Sequence, residues 1–141
     1  MAITQAMSTL FKKDVLLGDH HLDSDNIYVA LYTSSATLNA TTDGYITANE
    51  VANGNGYTTG GNALASKAVT EDTNSGSTTA GSGIFDADDP QWTSATFTAR
   101  GALIYNKTLG DASSIARGAI AILDFGGDFS VSGGTFRIVF P

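Results

Sequence analysis

The sequence predicts an all-β protein, a β-sandwich or jelly-roll-like domain preceded by one short N-terminal α-helix. Three observations carry this reading. Hydrophobic residues recur with period 2 across most of Asn26 to Phe140, and turn-forming pairs of Gly, Asn and Asp separate the apolar runs. The composition suits many turns: Gly is 16 of 141 residues, while charged residues make up 15%, below the roughly 25% of an ordinary globular chain. A chain of 141 residues has the length of one domain and can bury a sizeable core without disulfides or structural metal. Residues 1–141 are therefore read as a single domain, with residues 1–18 as a helix or arm, residues 26–140 as the β domain, and long polar loops within 36–90.

The helix is expected between Ile3 and Leu17. Ile3, Met7, Leu10 and Phe11 fall at the i, i+4, i+7, i+8 spacing of one helical face, and Gly18 is placed to cap its C-terminus. Such a helix either packs on its own domain or reaches a neighbouring subunit as an arm. Under the second reading those four residues are the candidate interaction residues. Beyond Gly18 the period changes to 2. In Ile27 to Tyr32 the residues Ile27, Val29 and Leu31 face one way and Tyr28, Ala30 and Tyr32 the other, so both faces are apolar and the strand is central. Trp92 to Thr98 reads as a partly exposed strand, and Ala102 to Tyr105 and Ala119 to Phe125 follow as further strands. Thr135 to Phe140 alternates with Phe136, Ile138 and Phe140 inward. Asp43-Gly44, Asn53-Gly54, Gly126-Gly127-Asp128 and Gly133-Gly134 supply the turns. Regular structure is weakest between Ala36 and Gly83, where Thr, Ser, Asn and Gly dominate; its Thr73 to Gly83 run has linker composition but is too short and too central to divide two domains.

Charge and motif content exclude most chemistries. Seven Lys and Arg against 14 Asp and Glu give a net charge of −7, which argues against a phosphate-tracking surface and hence against nucleic acid as a partner. No run approaches the length of a membrane-spanning helix, and the N-terminus lacks the basic-then-apolar order of a secretory signal, so a soluble protein with no membrane partner is expected. The absence of Cys removes thiol catalysis and thiolate metal sites. Asp19-His20-His21-Leu22-Asp23-Ser24-Asp25 holds imidazole and carboxylate together, but adjacent histidines rarely address one ion, and a solvated loop is expected. Asp86, Asp88 and Asp89 offer oxygen ligands for calcium without the spacing of a loop site, so a polar turn ending at Pro90 is expected. Gly54 to Gly61 superficially resembles a phosphate-binding loop but lacks the Lys and the following helix. Serines abound, yet the two histidines are neighbours in a loop and no Gly-x-Ser-x-Gly occurs, so no catalytic residue, cofactor or metal is assigned and an enzyme is not expected. Tyr28, Tyr32, Tyr45, Tyr57, Trp92 and Tyr105 could line a sugar-binding face, although strand aromatics more often pack in a core.

These exclusions leave function to resemblance. Met1 to Met7, Ile27 to Leu38, Tyr45 to Val51, Gly56 to Gly61, Trp92 to Asn106 and Ala121 to Gly126, taken in that order, resemble a family of small virion proteins of tailed bacteriophages, especially those of cyanobacterial and other aquatic hosts. Trp92 to Asn106 is the most specific block, and the longer Asn74 to Asp89 middle is where this chain departs. The resemblance implies a structural part of the virion: a capsid decoration or cement protein on the head surface, bound to the major capsid protein and to copies of itself as a trimer or other homo-oligomer. The alternative it implies is a tail- or fibre-associated module, for which a host-surface glycan would be the ligand. It brings no catalytic residues with it.

Overall fold

The computed structural model of the protein describes residues 2–110 and 117–141. It has an all-β fold with one short helix, in the order β1 (Ala6–Met7), α1 (Thr9–Leu17), β2 (Ile27–Tyr32), β3 (Asn62–Ala63), β4 (Ala68–Glu71), β5 (Gly83–Asp86), β6 (Gln91–Asn106) and β7 (Ala119–Arg137). The main sheet is antiparallel with the order β1-β7-β6-β2-β3; β4 and β5 form a separate two-stranded hairpin.

β2 behaves as its alternation requires. Ile27, Val29 and Leu31 enter one core cluster with Phe11, Val51, Tyr57, Leu64 and Trp92. Ala30 and Tyr32 enter a second, with Ile3, Leu38, Tyr45, Leu103, Tyr105 and Ile122. The sheet thus has apolar contacts on both faces, supplied by one strand of period 2.

β6 and β7 are longer than the separate strands expected from the sequence. Trp92–Thr98 and Ala102–Tyr105 are continuous, because a register shift between Ala99 and Gly101 inserts a bulge rather than a turn. The extra residues lie in β7, where Phe125 to Asp128 stand opposite Arg100 alone, and Ala95, Ala99 and Ala102 of β6 all reach the same cluster. Arg100, at the bulge, lies 3.4 Å from Asp124 Oδ1 and 4.0 Å from Asp128 Oδ1. Likewise Gly126-Gly127-Asp128 and Gly133-Gly134 lie inside β7 instead of ending strands. Phe136, Ile138 and Phe140 are half-buried between the exposed Thr135, Arg137 and Val139, as alternation predicts.

The N-terminal segment departs from the single amphipathic helix expected over Ile3 to Leu17. Ile3 bridges Leu38 in parallel, Ala6 and Met7 pair with Ile122 and Ala121 of β7, and the helix starts only at Thr9. Ser8 precedes it in extended geometry, and its hydroxyl donates to Thr42 O, tying the helix entry to a loop rather than capping the helix. The helix ends where expected: Gly18 is left-handed at φ 77°, and its amide donates to Val15 O 3.1 Å away.

Between β2 and β4 the chain wraps the free edge of β2. Val51 N–H donates to Leu31 O and Leu64 N–H to Ile27 O. Gly61 is indispensable here, since at φ 79° an added Cβ would lie 1.8 Å from Val29 O. The hairpin β4–β5 falls partly in the stretch where the sequence shows least regular structure. Its loop is ordered by Asp72, whose carboxylate accepts from Asn74 N–H and from the Thr79 hydroxyl.

Candidate functional site

Two surfaces emerge, the N-terminal segment and an open apolar band on the second half of β7. The four residues proposed for a neighbour-binding helical face do not share one. Ile3 and Phe11 are buried in different core clusters, Leu10 is half-buried and Met7 is exposed. A helix beginning at Thr9 cannot align residues 3 and 7 with 10 and 11, because Ala6–Met7 is extended. What α1 does expose is Val15, Leu16 and Leu17, with Leu16 at 88%.

The open band was not singled out in the sequence. Phe129 is 53% exposed and Val139 70%, and with half-buried Phe125, Val131, Phe136 and Ile138 they line a groove of about 460 Å³. Phe125 stacks edge-on to Phe129 at 6.3 Å and lies 5.9 Å from Phe136, so the rings form one continuous surface. The available signal was Asp128-Phe129-Ser130-Val131-Ser132, a period-2 run sitting between two glycine pairs that read as turns. Charged groups hold the ends of this band. Asp124 Oδ1 accepts from Gly126 N–H and from Arg100, contacts that keep its carboxyl below the usual value of 3.8. Asp89 accepts from Phe140 N–H and from Arg137 at 2.6 Å, which lowers its pKa in the same way.

The other sequence candidates are distributed differently. Asp86, Asp88 and Asp89 turn to separate partners: Asp86 to the Ala87 amide, Asp88 to the Ser66 hydroxyl and Asp89 to Arg137. Among the described residues no group of three or more His, Asp or Glu is gathered as a metal-binding set. His20 and His21 diverge. His20 is packed edge-on to Phe11 at 4.8 Å, and Asn106 Nδ2, which donates to Asp25, lies 3.2 Å from its Nδ1. Burial lowers the His20 pKa below 6.5 despite the nearby carboxylates of Asp14, Asp25 and Asp19. Burial pushes the Asp25 carboxyl up, but the His21 amide and the Asn106 side chain outweigh it and leave the pKa lowered. His21 is exposed.

The glycine-rich segment 54–61 is structural. Gly56 abuts Ala95 so closely that a Cβ would lie 2.7 Å from its Cα. Of the six aromatic residues considered for a sugar platform, Tyr32, Tyr45, Tyr57, Trp92 and Tyr105 are buried, and half-buried Tyr28 lies under Lys107, so no exposed aromatic platform forms from them. Three of them instead serve an unanticipated device at the edge of β2. Glu50 accepts from the Tyr45 and Tyr57 hydroxyls at 2.6 Å each and from Gly60 N–H at 2.7 Å, while Tyr57 Oη accepts from Leu31 N–H and the Tyr105 hydroxyl donates to Gly60 O. Burial and the Glu50 hydrogen bond push the Tyr57 hydroxyl far above its ordinary pKa, so it stays a donor at any working pH. This network locks loops to sheet and engages both Glu50 oxygens. Among the described residues no helix is long and apolar enough to cross a membrane. Compared with protein-family models, with curated proteins and with solved structures, the chain matches none.

Proposed function

We propose that this chain is a structural component of a bacteriophage virion, a decoration or cement protein that binds the major capsid protein and stabilises the head shell. The observation that carries the reading is the exposed apolar band along β7 and just beyond it, from Phe125 to Val139, where six large apolar side chains adjoin one groove. Contiguous apolar surface of this kind, on a small domain in which no three His, Asp or Glu among the described residues gather, fits assembly better than catalysis. The sequence resemblance supplies the particle in which such assembly would occur, and the acidic balance of the chain would keep its outer surface soluble and unattractive to packaged DNA. The α1 surface around Leu16 is a second contact region available to a shell.

The test is to add the full chain to particles stripped of it and to measure rupture by heat or osmotic shock. Rebinding to the head with later rupture supports the cement reading. Binding at the tail with unchanged head rupture would move the protein to the alternative, a tail- or fibre-associated module. Failure to bind any part of the particle would remove the virion reading altogether.

A further inference from the structure

We infer that the outer edge of β7 from Phe125 to Arg137 is a self-pairing edge, to which a second copy of this chain adds its own β7 antiparallel across a two-fold axis. Backbone pairing supplies the first observation. β6 occupies one edge of β7 from Ala119 to Asp124 and again from Phe129 to Arg137, with Phe125 to Asp128 bulged opposite Arg100, whereas β1 covers the other edge only at Ala121 and Ile122. Among the described residues no strand pairs with that outer edge after Ile122. A strand left in this state presents a row of unpaired N–H and C=O groups and is a template for another chain.

The opposite side of the same ribbon is treated differently. The far edge of β6 is closed by the protein itself: Thr96 N–H donates to Asn55 O, and the Asn62 side chain donates to Gln91 O. The residues natural proteins use to blunt an open edge, Lys and Pro, are missing from Leu123 to Arg137. Beside the open edge lies the apolar groove with Phe129 exposed.

Charge placement identifies the occupant. The charged residues of this stretch are Asp124 and Asp128 at one end and Arg137 at the other, with Phe129 to Phe136 uncharged between them. Asp128 and Arg137 are each more than half exposed while keeping a partner in their own chain, Arg100 at 4.0 Å and Asp89 at 2.6 Å. Antiparallel alignment brings the Arg137 end of each strand to the Asp124–Asp128 end of the other, twice, as a two-fold interface requires. A stable pair needs about 800 Å² from each partner, and the paired strands with their adjoining grooves offer an extended contact of that kind. Pairing in this way needs no capsid and is tested on the isolated chain, independently of the virion reading.

The experiment is sedimentation of the full chain over a range of concentrations, with amide hydrogen exchange read along β7. The wild type should form dimers, and alternate amides between Phe125 and Arg137 should gain protection as concentration rises. Phe129→Lys sets two like charges close to the two-fold axis and should weaken dimerisation at least about tenfold without altering the unfolding midpoint of the monomer. Asp128→Lys, which leaves the groove untouched, should weaken it as well. Leu16→Lys, on the exposed end of α1, should not. A wild type that stays monomeric, exchange in β7 that ignores concentration, or a dimer broken by Leu16→Lys and not by Phe129→Lys would overturn the inference.

Discussion

The first and second halves of β7 share one strand and one long partner yet end in different environments. Ala119, Ile120 and Ile122 are buried, with β6 on one edge, β1 on the other, and Ile3 and Phe11 in the cores they enter. From Phe129 to Arg137 only β6 remains as a partner, and Phe129, with Val139 just beyond the strand, stands in solvent. Amino-acid type does not separate the halves, since both carry large apolar residues at alternate positions. The difference is made elsewhere in the chain, by the N-terminal segment, which supplies both an edge strand and a buried side chain to the first half and nothing to the second.

Removing the segment through Ser8 should therefore give the largest effect, because it turns the first half into a copy of the second. Ile3 leaves a cluster in which it is 8% exposed, the Ala6–Met7 pairing is lost, and the Ser8 amide no longer donates to Ile120 O. Loss of one buried Ile side chain alone costs about 2–5 kcal/mol, so denaturant unfolding should show a loss of about 4 kcal/mol or more. A truncated chain as stable as the full one would mean that the segment is a free arm and that its contacts do not support the sheet.

Paired substitutions sharpen the same contrast within the strand. Ile122→Ala should cost about 2–5 kcal/mol, since the side chain is fully buried, whereas Phe129→Ala should change the stability of the monomer by less than about 1 kcal/mol. Urea midpoints of the two variants, measured at low concentration, decide it. Equal losses would show that the second half is covered in solution by something that restores its burial.

At the edge of β2, closure depends on one carboxylate, and Glu50→Ala should cost about 2–3 kcal/mol. It removes the acceptor of the Tyr45 and Tyr57 hydroxyls and of the Gly60 amide in partly buried positions. Glu50→Gln should recover part of this, because its amide oxygen still accepts. Thermal unfolding that ranks the alanine and glutamine variants equally would show that the carboxylate's charge, and not its geometry as acceptor, is what matters.

The contrast between the halves also marks what the sequence could disclose. The two-sided burial of β2 was legible because Ile27, Val29 and Leu31 against Ala30 and Tyr32 is a local pattern with one structural solution. The N-terminal helix was half legible. Gly18 marked its end, but the helical spacing of Ile3, Met7, Leu10 and Phe11 arises from an extended segment followed by a helix, and spacing alone cannot tell the two apart. Bulges were illegible for a related reason: Arg100-Gly101 and the glycine pairs of β7 have turn chemistry, and only pairing with the neighbouring strand keeps the chain extended there. The open band required knowing which edge of β7 goes unpaired, a property of topology that no window of the sequence contains. The same holds for Glu50, whose partners Tyr45, Tyr57 and Gly60 are assembled by a loop with no repeating pattern.

The smallest expected effect is that acid loosens the two halves in separate pH ranges. His20, packed against Phe11 near the first half, has a folded pKa below its ordinary 6.5, so the folded state favours the neutral ring. Its contribution is complete above pH 6.5 and declines as pH falls from there through the lowered folded value, where the ring must take a proton in a desolvated place. Asp124 and Asp89, which hold the ends of the second half, have folded values below 3.8. Their stabilisation is therefore present above 3.8 and is lost only as pH falls through those lower values. Amide exchange should show opening around Phe11 and Asn106 first and around Gly126 and Phe140 later, and His20→Gln should flatten the first step while leaving the second. A single loss at one pH in every segment would show that the two halves of β7 open together.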